Sequence, residues 1–79
     1  MATKIVHKKL GRQKAEGLAF IEHNEIHIDE RMKKKPYMLV VLHELLHIHF
    51  PDLSEKEVDR ISKKICNSMW SLKFRRIED

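Results

Sequence analysis

The chain has 79 residues, a mass of 9.5 kDa and a formal net charge of +4. A domain this small buries only about 60% of its unfolded surface, so it usually needs a disulfide, a metal ion or a partner for stability. The single cysteine, Cys66, excludes an internal disulfide and is typical of a reducing compartment. A metal ion or a partner remains, which makes the six histidines worth locating.

The composition is that of a folded domain rather than a disordered or membrane-spanning chain. Apolar residues make up 42% of the sequence and charged residues 35%, so there is enough apolar surface to bury. The longest apolar run, residues 37–42, is far too short to cross a bilayer, and the first residues lack a signal-peptide pattern. We therefore expect a cytoplasmic protein that does not associate with membranes.

Basic residues are concentrated in three runs, which lie in residues 1–14, 33–35 and 63–76. Such runs can bind nucleic acid or an acidic protein through electrostatic attraction. They also serve simply to keep a small protein in solution. The charge pattern therefore leaves nucleic acid and acidic proteins open as partners, and it says nothing about oligomeric state.

In chain order, the pattern predicts one domain over residues 1–79 that begins with a basic segment at 1–14, a short helix or strand. Residues 18–29 are expected to form a β-hairpin, because apolar residues 18–22 and the alternating residues 25–29 flank a turn at His23 and Asn24. A helix is expected at 36–50, with Pro36 in its first turn and Pro51 after its end.

The helix at 36–50 is apolar almost all round, which predicts a buried helix. A second helix is expected at 54–74, with Ser54 as its N-cap and Glu57 completing a capping box. Its apolar stripe and basic last turn are formed by Val58, Ile61, Ile65, Met69, Leu72, Lys73, Arg75 and Arg76. The predicted fold class is α+β: a short hairpin packed on a buried helix, with a second long helix at the C-terminal end.

Residues 43–47 read His-Glu-Leu-Leu-His, an HExxH sequence on the predicted buried helix. His43 and His47 are four residues apart, so both imidazoles lie on one helix face and can bind one zinc ion. Glu44 lies about 100° further around the helix, where it can accept a proton from a water activated by the metal. Without a metal, two imidazoles and a carboxylate on an apolar helix would be costly to bury.

A catalytic zinc site needs a third protein ligand. Glu55, at the start of the second helix, is the first candidate, and Asp59 on the same face could orient a ligating histidine. Glu57 and Asp52 are the next candidates, although Glu57 is better explained by the capping box. His49 points about 200° away from His47 and is a poor ligand. Two histidines and a carboxylate also suit non-haem iron, but HExxH favours zinc.

Residues 43–47, followed by Glu55-Lys56-Glu57-Val58-Asp59-Arg60-Ile61-Ser62, resemble the gluzincin branch of zinc metallopeptidases. The thermolysin and ImmA/IrrE-like patterns have this shape, as do short bacterial and phage proteins with a minimal zincin core. The resemblance implies that His43, His47 and Glu55 bind one zinc ion, that Glu44 is the catalytic base and that Asp59 orients a ligand. It further implies that Ile26, His27 and Ile28 form the edge strand that lines the substrate cleft.

The functional prediction is a zinc-dependent metallopeptidase that hydrolyses a peptide or protein substrate. The domain that closes the far side of the cleft in larger relatives is missing, and Tyr37, His23, His27 and His7 are candidates for the oxyanion donor by residue type alone. The alternative is a non-catalytic binding module, stapled by zinc, whose basic surface meets nucleic acid or a protein. A subunit or toxin-like effector whose cleft is completed by a partner is a third reading.

Overall fold

The part of the chain that the structure describes folds into three strands and two helices, an α+β arrangement that confirms the predicted fold class. The computed structural model describes residues 2–11 and 15–77. The elements are β1 (Lys4–Lys8), β2 (Gly17–Phe20), a 3-10 turn (Ile21–His23), β3 (Glu25–Asp29), α1 (Lys34–His49) and α2 (Glu55–Ser71). Neither α1 nor α2 combines the length and hydropathy that a membrane span requires.

The strands form one sheet in the order β1-β3-β2. β2 and β3 pair antiparallel, as the predicted hairpin requires, and β1 pairs with β3 in parallel. The basic N-terminal segment thus forms a strand, although Arg12 and Lys14 of that segment lie outside the described residues. The first hairpin strand ends at Phe20 rather than at residue 22, because the Asn24 N–H donates to the Ile21 carbonyl and closes a 3-10 turn.

The expected role of Ile26, His27 and Ile28 as an edge strand is wrong, because β3 is the central strand and has a partner on each side. Ile26 and Ile28 are fully buried under α1, and His27 points to the other face of the sheet, 4.6 Å from the ring of Phe20. Side-chain alternation indicates a half-buried strand, but strand order depends on pairing with distant segments.

Helix α1 lies across the sheet, and the core forms where they meet. Ile26 and Ile28 from β3 and Ile48 from α1 are the buried centre, and the partly buried residues packed against them are Ala19, Met32, Tyr37, Val40, Val41 and Leu45. The prediction of a buried helix holds only in part. Of the residues of α1, only Glu44 and Ile48 are buried, because the sheet and α2 cover two of its sides and leave a third open.

Helix α2 begins with the predicted capping box. The Glu57 N–H donates to Ser54 Oγ over 3.1 Å, and the Ser54 N–H donates to Glu57 Oε1 over 3.3 Å. An N-cap of this kind contributes about 1 kcal/mol to stability. It also fixes the first turn of α2, and therefore the position of Glu55.

The buried face of α2 is narrower than its sequence pattern predicts. Val58, Ser62 and Cys66 are buried, whereas Ile65 and Leu72, expected in the apolar stripe, are 37% and 71% exposed. Small side chains at every fourth position allow close approach to α1. The helix ends at Ser71 rather than at residue 74, because Lys73 takes a left-handed conformation (φ 71°), so the basic residues expected in a last turn follow the helix instead.

Asp29 ties the end of β3 to the chain on either side of it. Its Oδ1 accepts from the Arg31 N–H and Nε at 2.9 and 3.0 Å, and its Oδ2 accepts from Arg31 Nη2 at 2.9 Å. The Asp29 backbone N–H donates to the Glu16 carbonyl over 2.9 Å. The hydrogen bonds from Arg31 to the side chain hold the pKa of the Asp29 carboxyl well below its usual range.

We expect Asp29→Asn to lower the free energy of unfolding at pH 7, since the carboxylate is preferentially stabilised in the folded state. A carboxyl with a lowered native pKa stabilises the fold above its unfolded pKa, about 3.9, and that stability is lost as the pH falls toward the native value. Urea denaturation should therefore show a difference in the free energy of unfolding between wild type and variant. We expect this gap to be largest above about pH 5 and to shrink toward pH 2. Glu22→Gln, an exposed control, should show no such gap; a constant Asp29→Asn gap would contradict the charge effect.

Candidate metal centre

Three donor side chains meet where α1 faces the start of α2. His43 and His47 lie one turn apart on α1, with their Nε2 atoms 3.2 Å from each other. Glu55, the first residue of α2, places Oε1 2.8 Å from His43 Nε2 and Oε2 3.0 Å from His47 Nε2. The two predicted histidine ligands and the first of the candidate third ligands are thus brought together.

The spacing of these atoms fits a tetrahedral metal ion. Zinc bonds of about 2.0–2.1 Å place neighbouring donors roughly 3.3–3.5 Å apart. The two histidine Nε2 atoms are 3.2 Å apart, close to that spacing. The two Glu55 oxygens lie slightly closer, Oε1 at 2.8 Å from His43 Nε2 and Oε2 at 3.0 Å from His47 Nε2. We call the two histidine nitrogens and the Glu55 carboxylate the donor triangle. The Glu55 side chain is 72% exposed, so a small outward rotation would lengthen the distances from its oxygens to the histidine nitrogens. Two imidazoles and one carboxylate leave one of four positions free.

Glu44 lies next to this triangle and is buried, with 7% of its surface exposed. Its carboxylate and the His43 and His47 ring nitrogens lie within 4.8 Å of one another, so Glu44 is also within reach of a metal. Burial raises the pKa of the Glu44 carboxyl, the two histidines oppose that shift, and Glu55 adds to it. Glu55 is the other carboxylate at this place, and each of its two oxygens faces one of the histidine nitrogens.

The donor triangle opens into a cleft of about 400 Å³ between α1, the start of α2 and the start of β2. Its lining consists of Ala15, Glu16, Gly17, Leu39, Val40, His43, Glu44, His47, Glu55 and Asp59. The edge strand whose first residue lines this cleft is thus β2, and residues 26–28 do not line it.

Gly17 is the functional residue that the sequence analysis missed. A Cβ atom at this position would lie 2.7 Å from Val40 Cγ1 and 2.9 Å from Glu44 Cγ, both too close for ordinary contact. Only a glycine lets β2 approach α1 this closely beside the candidate base. The available signal was a glycine directly before the apolar residues 18–22, which the sequence analysis did not use.

The other predicted site residues lie further from the triangle. Asp59 lines the cleft, but its Oδ2 accepts from Lys63 Nζ over 3.0 Å, and no histidine within residues 2–11 and 15–77 donates a hydrogen bond to it. The predicted contact that would orient a ligand is therefore not formed. His49 points away, as predicted, with Nε2 3.3 Å from Thr3 Oγ1.

Residues expected by type to stabilise an oxyanion do not reach the cleft. Tyr37, His7, His23 and His27 are all absent from the described residues that line it. Tyr37 instead shares a 2.7 Å hydrogen bond with His7 near the other end of α1. The cleft is therefore equipped with a candidate base and candidate ligands, but those four side chains supply it with no donor.

Comparison with known proteins identifies no relative: no protein-family model, no curated protein and no solved structure matches the chain. The functional argument consequently rests on the residues and their geometry.

We expect Gly17→Ala to destabilise the protein by about 1–3 kcal/mol, the usual result of overpacking. The gain from a less flexible unfolded chain, about 0.4–1 kcal/mol, is too small to offset it. Gly11→Ala is the matched control, since its Cβ would meet only the Arg31 guanidinium, with Nη2 at 3.3 Å, a contact that a shift of a few tenths of an ångström relieves. Urea denaturation of both variants measures the difference; equal stabilities would contradict the close approach of β2 to Glu44.

Proposed function

We propose that this chain is a minimal zinc-dependent metallopeptidase. The observation that carries the proposal is the triangle of His43, His47 and Glu55 donor atoms, with the buried Glu44 carboxylate beside it at the floor of an open cleft. The spacing of the donors suits zinc, and a buried carboxylate next to a three-ligand site suits a general base.

His43, His47 and Glu55 would hold the ion, which when bound supplies Lewis acidity and lowers the pKa of water to about 7. Glu44 accepts a proton from the attacking water as the new C–O bond forms at the scissile carbonyl carbon. It then delivers that proton to the amine nitrogen as the C–N bond breaks, so the reaction consumes one water.

We place the substrate along β2. Among the described residues, this strand pairs with β3 on one side only, and its first residue, Gly17, lies against Glu44. An extended peptide that added to the open edge would pass the cleft with its backbone hydrogen-bonded to the strand, a common mode of peptide recognition. That mode reads main-chain groups more than side chains, so we expect broad specificity. Without an oxyanion donor from the four residues considered above, we also expect slow turnover, since removing one such donor typically costs about 10²–10³ in kcat.

Metal content tests the ligand set. Protein purified without a chelator or a metal-affinity tag should carry about one zinc per chain. His43→Ala and Glu55→Ala should lose it, whereas Glu44→Gln and Asp52→Ala should keep it. Elemental analysis of the five proteins, each checked for folding by circular dichroism, measures the outcome. A folded wild type without metal would refute the proposal, and loss in Asp52→Ala but not in Glu55→Ala would move the third ligand to Asp52.

Cleavage of a peptide library tests the base. Glu44→Gln should retain zinc and lower kcat/KM by at least about 100-fold, because an amide cannot accept the proton. If wild type and Glu44→Gln both bind zinc and neither cleaves peptide, the zinc-stapled binding module becomes the better reading. The missing oxyanion donors are the observation that favours this second candidate.

Substrates methylated at backbone nitrogens test the position of the peptide. Each methyl group removes one N–H that an added strand would donate to β2, so methylation at alternate positions should raise KM by about tenfold or more. Methylation at the intervening positions, whose N–H groups point away from β2, is the matched control and should have little effect. Equal effects at all positions would argue against strand addition.

A further inference from the structure

A second concave surface lies on α1, away from the metal centre. It is a groove of about 760 Å³ between α1, the C-terminal part of α2 and the segment that follows it. We call it the helix groove; its lining residues from α1 are Lys34, Tyr37, Met38, Val41, Leu42 and Leu45, and those from α2 and beyond are Met69, Trp70, Phe74, Arg75 and Arg76.

The floor of the helix groove is apolar and regular. Met38, Val41, Leu42 and Leu45 follow one another at intervals of three, one and three residues, which places them on a single face of α1. Val41 and Leu45 also pack against the core, whereas Met38 and Leu42 are not among the residues that do so. This is the open third side of a helix whose composition predicts full burial. An apolar face left in this state is typical of a surface that another molecule covers.

The rim of the helix groove is cationic. Lys34, Arg75 and Arg76 are exposed, and none of the groove residues is acidic. The Arg75 guanidinium stacks 3.5 Å from the centre of the Trp70 ring, and that of Arg76 lies 4.5 Å from the centre of the Tyr37 ring. Stacking of this kind holds a guanidinium against the face of an aromatic ring, and its remaining N–H groups can then bind an anion.

The rim charge decides between the occupants that an apolar groove could take. A second copy of this chain is disfavoured, because a symmetric pair would bring the two cationic rims together in a protein of net charge +4. An enclosed small-molecule ligand is disfavoured because the groove is open, with Phe74 55% exposed at its wall. A helix suits an open groove, since it buries one apolar face and keeps its own polar face in water.

We infer that the helix groove binds an amphipathic helix of a partner protein, one that carries acidic residues beside its apolar stripe. The groove floor from Lys34 to Leu45 is about 17 Å long, which accommodates about three helical turns. The two methionines, Met38 and Met69, can adjust to different apolar side chains. The acidic residues of the partner would pair with Lys34, Arg75 and Arg76 and fix its register. The inference does not depend on the metal site, which uses other residues of α1.

The test uses the full chain and a fluorescently labelled 18-residue peptide. The peptide carries leucines at positions i, i+3, i+4 and i+7 with flanking glutamates, and binding is followed by fluorescence anisotropy and by the helical circular-dichroism signal. We expect saturable binding that weakens as salt rises, together with a gain in helicity. A peptide of the same composition with a scrambled stripe, and one with lysines in place of the glutamates, should each bind at least tenfold more weakly.

Variants of the protein locate the site. The double variant R75S/R76S removes two rim charges and should weaken binding by roughly tenfold, as expected for the loss of two exposed ion pairs. K8S/K9S removes two charges outside the groove and should change binding less than twofold. M38E places an acid on the floor and should abolish binding of the acidic peptide. Because Met38 and the two arginines lie outside the core cluster, both groove variants should fold, which circular dichroism checks.

Three outcomes would overturn the inference. The first is equal binding of the acidic and lysine-substituted peptides, or binding that R75S/R76S leaves intact. The second is binding of anionic phosphatidylglycerol vesicles, sensitive to R75S/R76S, without binding of the acidic peptide, which would assign the groove to a membrane surface. The third is self-association, seen by sedimentation in wild type and lost in M38E, which would make a second copy the occupant. E44Q should bind the peptide like wild type, so failure of the metallopeptidase proposal would leave this result unaffected.

Discussion

The contact between β3 and α1 is the constraint on which the rest of the structure depends. Ile26 and Ile28 are fully buried against Ile48, and this small cluster sets the distance and direction of α1 across the sheet. Because β2 pairs with β3, the same contact brings the start of β2 onto α1 beside Glu44. The cleft therefore follows from core packing, because Glu44 and the edge strand β2 both belong to elements that the core holds together.

The approach of α2 depends on residue size as well as on hydrophobicity. Val58, Ser62 and Cys66 are the buried side chains of α2, and two of the three are small. The close packing of the two helices and the capping box at Ser54 together place Glu55 over the histidine pair. A helix with larger residues at these positions would stand further from α1 and could not bring a first-turn carboxylate to both Nε2 atoms.

Two sides of α1 differ in character. One side carries the candidate ligands His43 and His47 into a small cleft, and another carries Met38 and Leu42 into an apolar groove with a cationic rim. A chain of 79 residues has a small core, so leaving a largely apolar helix partly exposed to solvent lowers its stability. A bound metal and a docked helix would each stabilise the fold by binding the native state alone. Both proposals thus answer the same need for additional stabilisation.

Local geometry is what the sequence determined by itself. Spacing of four residues places His43 and His47 on one helix face, and the Ser54–Glu57 pair marks the start of α2 and so the position of Glu55. These relations span a few residues and follow from helix geometry alone. The same holds for the hairpin pairing of β2 with β3 and for the α+β class.

Tertiary structure decided everything that depends on which distant segments meet. The alternation of residues 25–29 predicted a strand but not its central position, which follows from parallel pairing with β1. The role of Gly17 appeared only when β2 was seen to touch Val40 and Glu44, and the pairing of Asp59 with Lys63 displaced the contact expected with a histidine. Strand order and side-chain partners are set by burial of the whole chain, so no local pattern in the sequence specifies them.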